Sequence, residues 1–204
     1  MTERSYSSPL REEQARDTRR RIRDAARQLF EESGFAATTI TEIARRGGVA
    51  PATVYANFES KAGIVGSMLE ELEEAAGMDW RIPQMVAEED PHRCLVLFVA
   101  GNRAVFEQGH TVLRAAFDAM GLPEVRALAL AGDANRRHAI DTLVGRWYEA
   151  GAIRPDLGLD LATETMWLLT SVEQYLLAAD VLGWSGETYE QWLQRVLEEL
   201  LFVT

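Results

Sequence analysis

The stretch Thr39-Ile-Thr-Glu-Ile-Ala-Arg-Arg-Gly-Gly-Val-Ala-Pro-Ala-Thr-Val-Tyr-Ala-Asn-Phe58 decides how this chain folds. It opens on a capping box: the Thr39 hydroxyl can accept from the Glu42 amide while the Glu42 carboxylate reaches back to the Thr39 amide, so a helix starts at Ile40. That helix carries Ile43 and Ala44 and stops at Gly47-Gly48. Pro51 then opens a second short helix, in the first turn where its missing amide does no harm. Two short helices joined by a tight glycine turn have the layout of a helix-turn-helix. Its second helix must enter a groove about 12 Å wide, which asks for small or polar leading residues and an apolar back. Pro51, Ala52 and Thr53 fit the leading edge, and Val54 and Phe58 fit the back.

Upstream, Ile22, Ala25, Ala26, Leu29 and Phe30 form an apolar stripe that ends at Ser33-Gly34, so a supporting helix precedes the motif. Residues 1–15, polar and without periodicity, read as a mobile arm. Ser60 caps a following helix with Ile64, Val65, Met68, Leu69 and Leu72 on one side. The motif domain is therefore set at 16–62 and a larger helical domain at 63–204. In that larger part Leu95, Phe98, Val99, Asn102 and Phe106 share a helix, with a shorter piece from about 110 to 120. Ile140, Leu143, Val144, Trp147 and Tyr148 mark another helix, and residues 156–182 read as one more. A last helix repeats Tyr189, Trp192, Leu193, Val196, Leu197, Leu200 and Leu201 at helical spacing. The expected class is all-α: a three-helix helix-turn-helix domain followed by a helical domain.

The chain has 204 residues, 47% hydrophobic and 26% charged, which excludes a disordered or collagen-like protein. Cys94 is the only cysteine, so no internal disulfide is possible and a reducing compartment is expected. No apolar run is long enough to cross a membrane and the N-terminal thirty residues lack a signal-peptide core, so the expected location is cytoplasmic. The net charge of −11 argues at first against nucleic acid. Up to residue 61, however, eleven basic side chains face nine acidic ones for a net of +2, and the remainder carries −13. A basic head on an acidic body moves the question to the first sixty residues.

The run Ile22-x-x-Ala25-Ala26-x-x-Leu29-Phe30, Gly34-Phe35, Thr38-Thr39-Ile40-x-x-Ile43-Ala44, Gly48-Val49, Thr53-Val54-Tyr55-x-x-Phe58-x-Ser60-Lys61 resembles the DNA-binding domain of the tetracycline-repressor (TetR) family of bacterial transcriptional regulators. The resemblance covers roughly residues 18 to 65. It implies a DNA-contacting set of Arg19, Arg20, Arg21, Thr38, Thr39, Ala50, Pro51, Ala52, Thr53, Tyr55, Asn57 and Lys61. Thr39, Tyr55 and Lys61 would hold phosphates and Pro51, Ala52 and Thr53 would lie along base edges. Helix amino termini attract anions, and hydroxyls and ammonium groups donate to phosphate oxygen. Three positions depart from the family pattern: Ala50 replaces a capping serine, Ala56 an aromatic, and Asn57 a histidine.

The resemblance also implies that the acidic body binds a small-molecule effector and forms a homodimer through the last two helices. The protein would then leave a palindromic operator when the effector binds. Polar residues interrupting apolar stripes are the natural pocket candidates. They are Asn102, Asn135, His138, Thr142 and Glu173, with aromatic walls from Phe98, Phe117, Trp147 and Trp167. A buried Glu173 would favour a cationic or hydrogen-bond-donating ligand. No cofactor and no metal site are expected. Two other readings stay open: a helical interaction protein with degenerate DNA binding, and a helical metal-carboxylate enzyme built on Glu107-x-x-His110, which would need a second such motif.

Overall fold

The computed structural model describes residues 9–75, 84, 85 and 87–203. Among the described residues the chain is helical: α1 (Pro9–Ala37), α2 (Ile40–Gly47), α3 (Pro51–Phe58), α4 (Lys61–Ala75), α5 (Pro91–Asp118), α6 (Pro123–Glu149), α7 (Gly158–Leu169), α8 (Val172–Leu176) and α9 (Gly186–Leu201). A π-helical turn, Leu177–Val181, continues α8. None of these helices is long and apolar enough to cross a membrane. The chain divides into two compact units, one of residues up to Met68 with Ala115–Arg126, the other of Leu69–Arg114 with Ala127 onward.

In the first unit the stripe of α1 becomes core: Ile22, Ala25, Ala26, Leu29 and Phe30 are all buried, as are Ile43 and Ala44 of α2, Val54 and Phe58 of α3, and Ala62, Ile64, Val65 and Met68 of α4. The unit therefore extends six residues past the expected limit of 62, because the first half of α4 contributes to this core. Residues 9–15, expected as part of the arm, are helical. Pro9 opens that helix and Glu12 lies in its first turn, both favourable there. The stretch escaped periodicity because residues 12–16 are exposed, so it carries no apolar stripe to read. Residues 1–8 lie outside the described set.

The α3–α4 joint is tight. Ser60 donates its amide to the Phe58 carbonyl at 2.6 Å, closing a γ-turn at Glu59 with φ 60° and ψ −41°. Ser60 Oγ caps α4 by accepting from the Gly63 amide at 3.0 Å. Gly63 has to be glycine, since a Cβ there would stand 2.0 Å from the Phe58 carbonyl oxygen.

The second unit has one continuous core. Cys94, Leu95, Phe98 and Val99 of α5, Ile140, Val144 and Trp147 of α6, Met166 of α7, Tyr175 of α8 and Tyr189, Leu193, Leu197 and Leu201 of α9 all belong to it. The stripe of α9 splits in two: Tyr189, Leu193, Leu197 and Leu201 are buried in the unit, whereas Trp192 and Val196 are half-exposed and Leu200 is exposed. Ile153 and Phe202 meet in a single antiparallel bridge that ties the end of the chain to the segment after α6.

Two expectations are corrected here. The segment from 110 to 120 is not a separate helix, because α5 runs unbroken to Asp118. Gly109 serves close packing within it, since a Cβ would come within 2.2 Å of Leu72. Conversely, 156–182 is not one helix. It breaks at Thr170-Ser171, where Thr170 turns its hydroxyl back to the Met166 carbonyl at 2.7 Å and Ser171 caps α8 by accepting from the Gln174 amide.

Candidate nucleic-acid interface

The amino end of α2 has the expected capping box. Thr39 Oγ1 accepts from the Glu42 amide at 3.2 Å, and the Glu42 carboxylate accepts from the Thr39 amide at 3.0 Å and from its hydroxyl at 2.7 Å. These bonds from Thr39, side chain first and backbone second, hold the Glu42 carboxyl below the usual carboxylate range. At its other end, α2 stops at Gly48, whose φ of 64° is the left-handed cap that glycine favours.

α3 is amphipathic. Val54 and Phe58 are buried behind it, while Ala50, Pro51, Ala52, Tyr55 and Ala56 are exposed and Thr53 and Asn57 half-buried. Ala50 sits at the N-cap with no side chain to offer, as the sequence implies. Tyr55 is 53% exposed, placing its ring and hydroxyl on the open side of the recognition helix. Asn57 instead turns back on its own helix and donates to the Thr53 carbonyl at 2.8 Å.

Several residues of the expected contact set hold the unit together. Thr38 is buried, its hydroxyl donating to the carbonyls of Leu29 and Gly34, so it is not a surface contact. Lys61, the only lysine of the chain, donates to the carbonyls of Phe35 and Thr38 with its ammonium 4.1 Å from the Phe35 ring centre. Burial lowers its pKa, and its donors bind the end of α1 rather than stand open to a phosphate. Arg19 donates to the Asn57 carbonyl at 2.7 Å with its guanidinium 4.5 Å above the Phe58 ring, closing the carboxyl end of α3. Arg21 does the same for α2, donating to the carbonyls of Gly47 at 2.6 Å and Gly48 at 3.0 Å. A cation at a helix carboxyl end is favoured by the helix dipole. Arg20 points outward, paired with Asp17.

What remains exposed of the expected set is Thr39, Ala50, Pro51, Ala52 and Tyr55, with Arg20. Arg45, outside the expected set, is also exposed in the last turn of α2. Its signal was available: with Ile43 and Ala44 turned inward, the helical period sends residue 45 outward.

The expected pocket residues of the second unit differ in exposure. Asn135, His138, Thr142 and Glu173 are exposed, and Thr142 donates to the carbonyl of His138 on its own helix. Glu173 is therefore not a buried carboxylate aimed at a ligand. Phe117 is exposed and belongs to the other unit. Phe98 and Trp147 are core, Trp147 packing on Phe202 with ring centres 5.3 Å apart. Asn102 donates to the Thr170 carbonyl freed by the break between α7 and α8. The Trp167 indole nitrogen is buried without a hydrogen-bond partner.

The metal-carboxylate motif is not assembled: Glu107 pairs with Arg103, and His110 with Asp180. Among the described residues no group of three His, Cys, Asp or Glu side chains is placed to hold a metal ion. Cys94 is buried, donates weakly to the Met85 carbonyl, and has its thiol pKa raised by burial, as befits a core residue.

Comparison with known proteins bears on the first unit most directly. Residues 22–68 match the family described as bacterial regulatory proteins, tetR family. The HTH-type transcriptional regulator YvkB of Bacillus subtilis is 46% identical over 54 residues, which are 26% of this chain and 29% of that protein. TtgR of Pseudomonas putida, another HTH-type transcriptional regulator, is 35% identical over 83 residues, 41% of this chain and 40% of that one. The chain thus aligns with well under half the length of these curated relatives. The fold extends further: a transcriptional regulator from Saccharomonospora viridis, solved in complex with choline, superposes over 93% of this chain and 100% of its own with a TM-score of 0.75 at 21% identity. With the motif's caps, glycines and core positions all in place, residues 22–68 form a helix-turn-helix domain of the tetR-family type.

Proposed function

We propose that the protein is a ligand-responsive, DNA-binding transcriptional regulator. It occupies a near-palindromic operator in the cytoplasm as a homodimer, acts as a repressor, and leaves the operator when a small molecule binds its second unit. The observation that carries this reading is the recognition helix: α3 buries Val54 and Phe58, opens Pro51, Ala52 and Tyr55 outward, and has its far end held by Arg19. A helix presented in that way suits a major groove; its small leading residues would lie near base edges, and Tyr55, with Thr39, Arg20 and Arg45 from the neighbouring helices, would contact phosphates.

A two-helix reader makes few contacts, so affinity and register come from pairing two heads about one DNA turn apart. The apolar surface left over in the second unit supports such pairing. Leu161 and Leu168 of α7, Val181 at the end of the π-turn, Leu182 after it, and Leu200 of α9 are all exposed. Large exposed apolar groups concentrated on the last helices are what a homodimer interface would cover.

The test is a mobility-shift titration with the DNA flanking the protein's own gene across a range of salt concentrations. Binding should be salt-sensitive, stoichiometric for a dimer, and specific for a near-palindrome. Tyr55→Phe should weaken it about fivefold with an unchanged salt slope, because a neutral donor is lost. Arg45→Ala should lower the slope by about one per protomer, because a phosphate-neutralising cation is lost. Absence of salt-sensitive binding to any DNA would instead favour a helical interaction protein, a role to which the uncapped Ala50 and the small Ala56 also point.

A further inference from the structure

The recognition helix carries no charged side chain. From Ala50 to Phe58 the chain reads Ala-Pro-Ala-Thr-Val-Tyr-Ala-Asn-Phe, without an arginine, lysine, glutamine or acid. Val54 and Phe58 are buried, and the exposed positions of α3 are Pro51, Ala52, Tyr55 and Ala56. The helical period brings these four onto one continuous face, because 51 with 55 and 52 with 56 lie one turn apart. Its side chains are a proline ring, two methyl groups and a phenol ring, with the Tyr55 hydroxyl as their one polar group.

Side chains in a major groove distinguish bases by two kinds of contact. Arginine or lysine pairs with guanine, and asparagine or glutamine with adenine, through two-point hydrogen bonds, whereas apolar groups meet the methyl of thymine. For the first kind α3 has a single candidate, Asn57. Its amide nitrogen donates to the Thr53 carbonyl at 2.8 Å, a bond that a two-point contact with adenine would have to disrupt. Thr53 is half-buried, and a threonine hydroxyl does not discriminate between base edges. Arginines near α3 are engaged as well: Arg19 and Arg21 close the ends of α3 and α2, and Arg46 pairs with Glu32 at 2.6 Å. The second kind of contact is the one the exposed face of α3 is made for.

We propose that the operator is recognised through its thymine methyl groups, on which Pro51, Ala52 and Ala56 of α3 pack, with no two-point hydrogen bond from α3 to a base. This deepens the DNA-binding reading above and rests on it. Ala52 and Ala56 are then the specificity-determining residues. Removing one methyl from water is worth about fourfold in an equilibrium constant. A dimer on a near-palindrome reads each position twice, so one symmetry-related pair of methyls is worth about fifteenfold.

The test is a mobility shift of the full chain on the fragment flanking its own gene, amplified either with thymidine or with deoxyuridine in its place. The exchange removes every thymine methyl and leaves the hydrogen-bonding edges of each base pair intact. Parallel fragments carry 7-deazaguanine or 7-deazaadenine, which lack the ring acceptor that arginine or asparagine would use. The uracil fragment should bind about tenfold more weakly or worse, and both deaza fragments within about twofold of the parent. Ala52→Ser and Ala56→Ser place a hydroxyl on exposed helix positions and should melt within about two degrees of the parent. Each should lower the ratio of thymine to uracil affinity by about threefold, because a polar group then faces the methyl. Equal binding of thymine and uracil DNA, a larger loss with either deaza fragment than with uracil, or a ratio unmoved in both serine variants would each overturn the proposal. Any of these with intact binding of the thymine fragment sinks only this inference, whereas absent binding of that fragment sinks the regulator reading with it.

Discussion

In the first unit helix ends are met by side chains, with Arg21 at α2, Arg19 at α3 and Lys61 at the end of α1, whereas the second unit interrupts its helices at Thr170 and leaves Tyr189 and Trp167 with donors unused. Both units are helical and both bury a continuous core, so the contrast lies in how polar groups are treated. A reading head gains from being the same shape each time it meets DNA, and filled hydrogen bonds fix its helices relative to one another. A sensor must hold a state that a ligand can improve, and unmet donors in an aromatic interior are such a state. The price of that readiness is a body less well satisfied than its size would allow.

The largest perturbation should come from the core of the second unit. Leu197 is fully buried on α9 between Leu193 and Leu201, and Leu197→Ala should cost about 3 kcal/mol through lost contacts and a residual cavity. Urea unfolding followed by tryptophan emission reports this unit selectively, because all the described tryptophans lie in it. Unchanged DNA affinity of the still-folded variant at low temperature would show that the head keeps its shape independently. Next is Lys61→Ala. Removing its charge-assisted bonds to Phe35 and Thr38 should cost about 2 kcal/mol, seen as a lower urea midpoint in far-UV circular dichroism. If stability held and only DNA binding weakened, Lys61 would be a phosphate contact and the first unit would be less self-sufficient than its geometry suggests.

Much of the head was legible because its signals are local. The Thr39/Glu42 capping box, Gly48 and Pro51 each dictate a backbone event within four residues, and each stands where the spacing puts it. What was not legible was the destination of long side chains. Nothing in the order of residues 19–21 tells that Arg19 and Arg21 reach helix ends 38 and 26 positions ahead in sequence while Arg20 faces out. The same limit acts more strongly in the body. Polarity on an apolar stripe was read as a sign of a pocket, yet Asn102 is consumed by the Thr170 carbonyl, and the helix break that creates this demand rests on a hydroxyl folding back rather than on glycine or proline. Tyr189 was read simply as one of the apolar positions on α9, and its unmet hydroxyl is visible only once its neighbours are known.

The head also contains one place where satisfaction comes with strain. Glu59 has no glycine freedom, yet it adopts φ 60° and ψ −41° so that the Ser60 amide can reach the Phe58 carbonyl between α3 and α4. A residue with a Cβ in such a region costs on the order of 1–3 kcal/mol, while glycine there loses roughly 0.5–1 kcal/mol of chain entropy on folding. Glu59→Gly should therefore stabilise the first unit by about 1 kcal/mol, a small rise in urea midpoint without change in slope. The direction of the change discriminates. A stabilised variant with parental operator affinity means that the strain is a tolerated consequence of turning sharply between two helices. A stabilised variant with weaker binding means that the rigid γ-turn fixes how α3 is presented, and that the head depends for its function on the one joint where its geometry is forced.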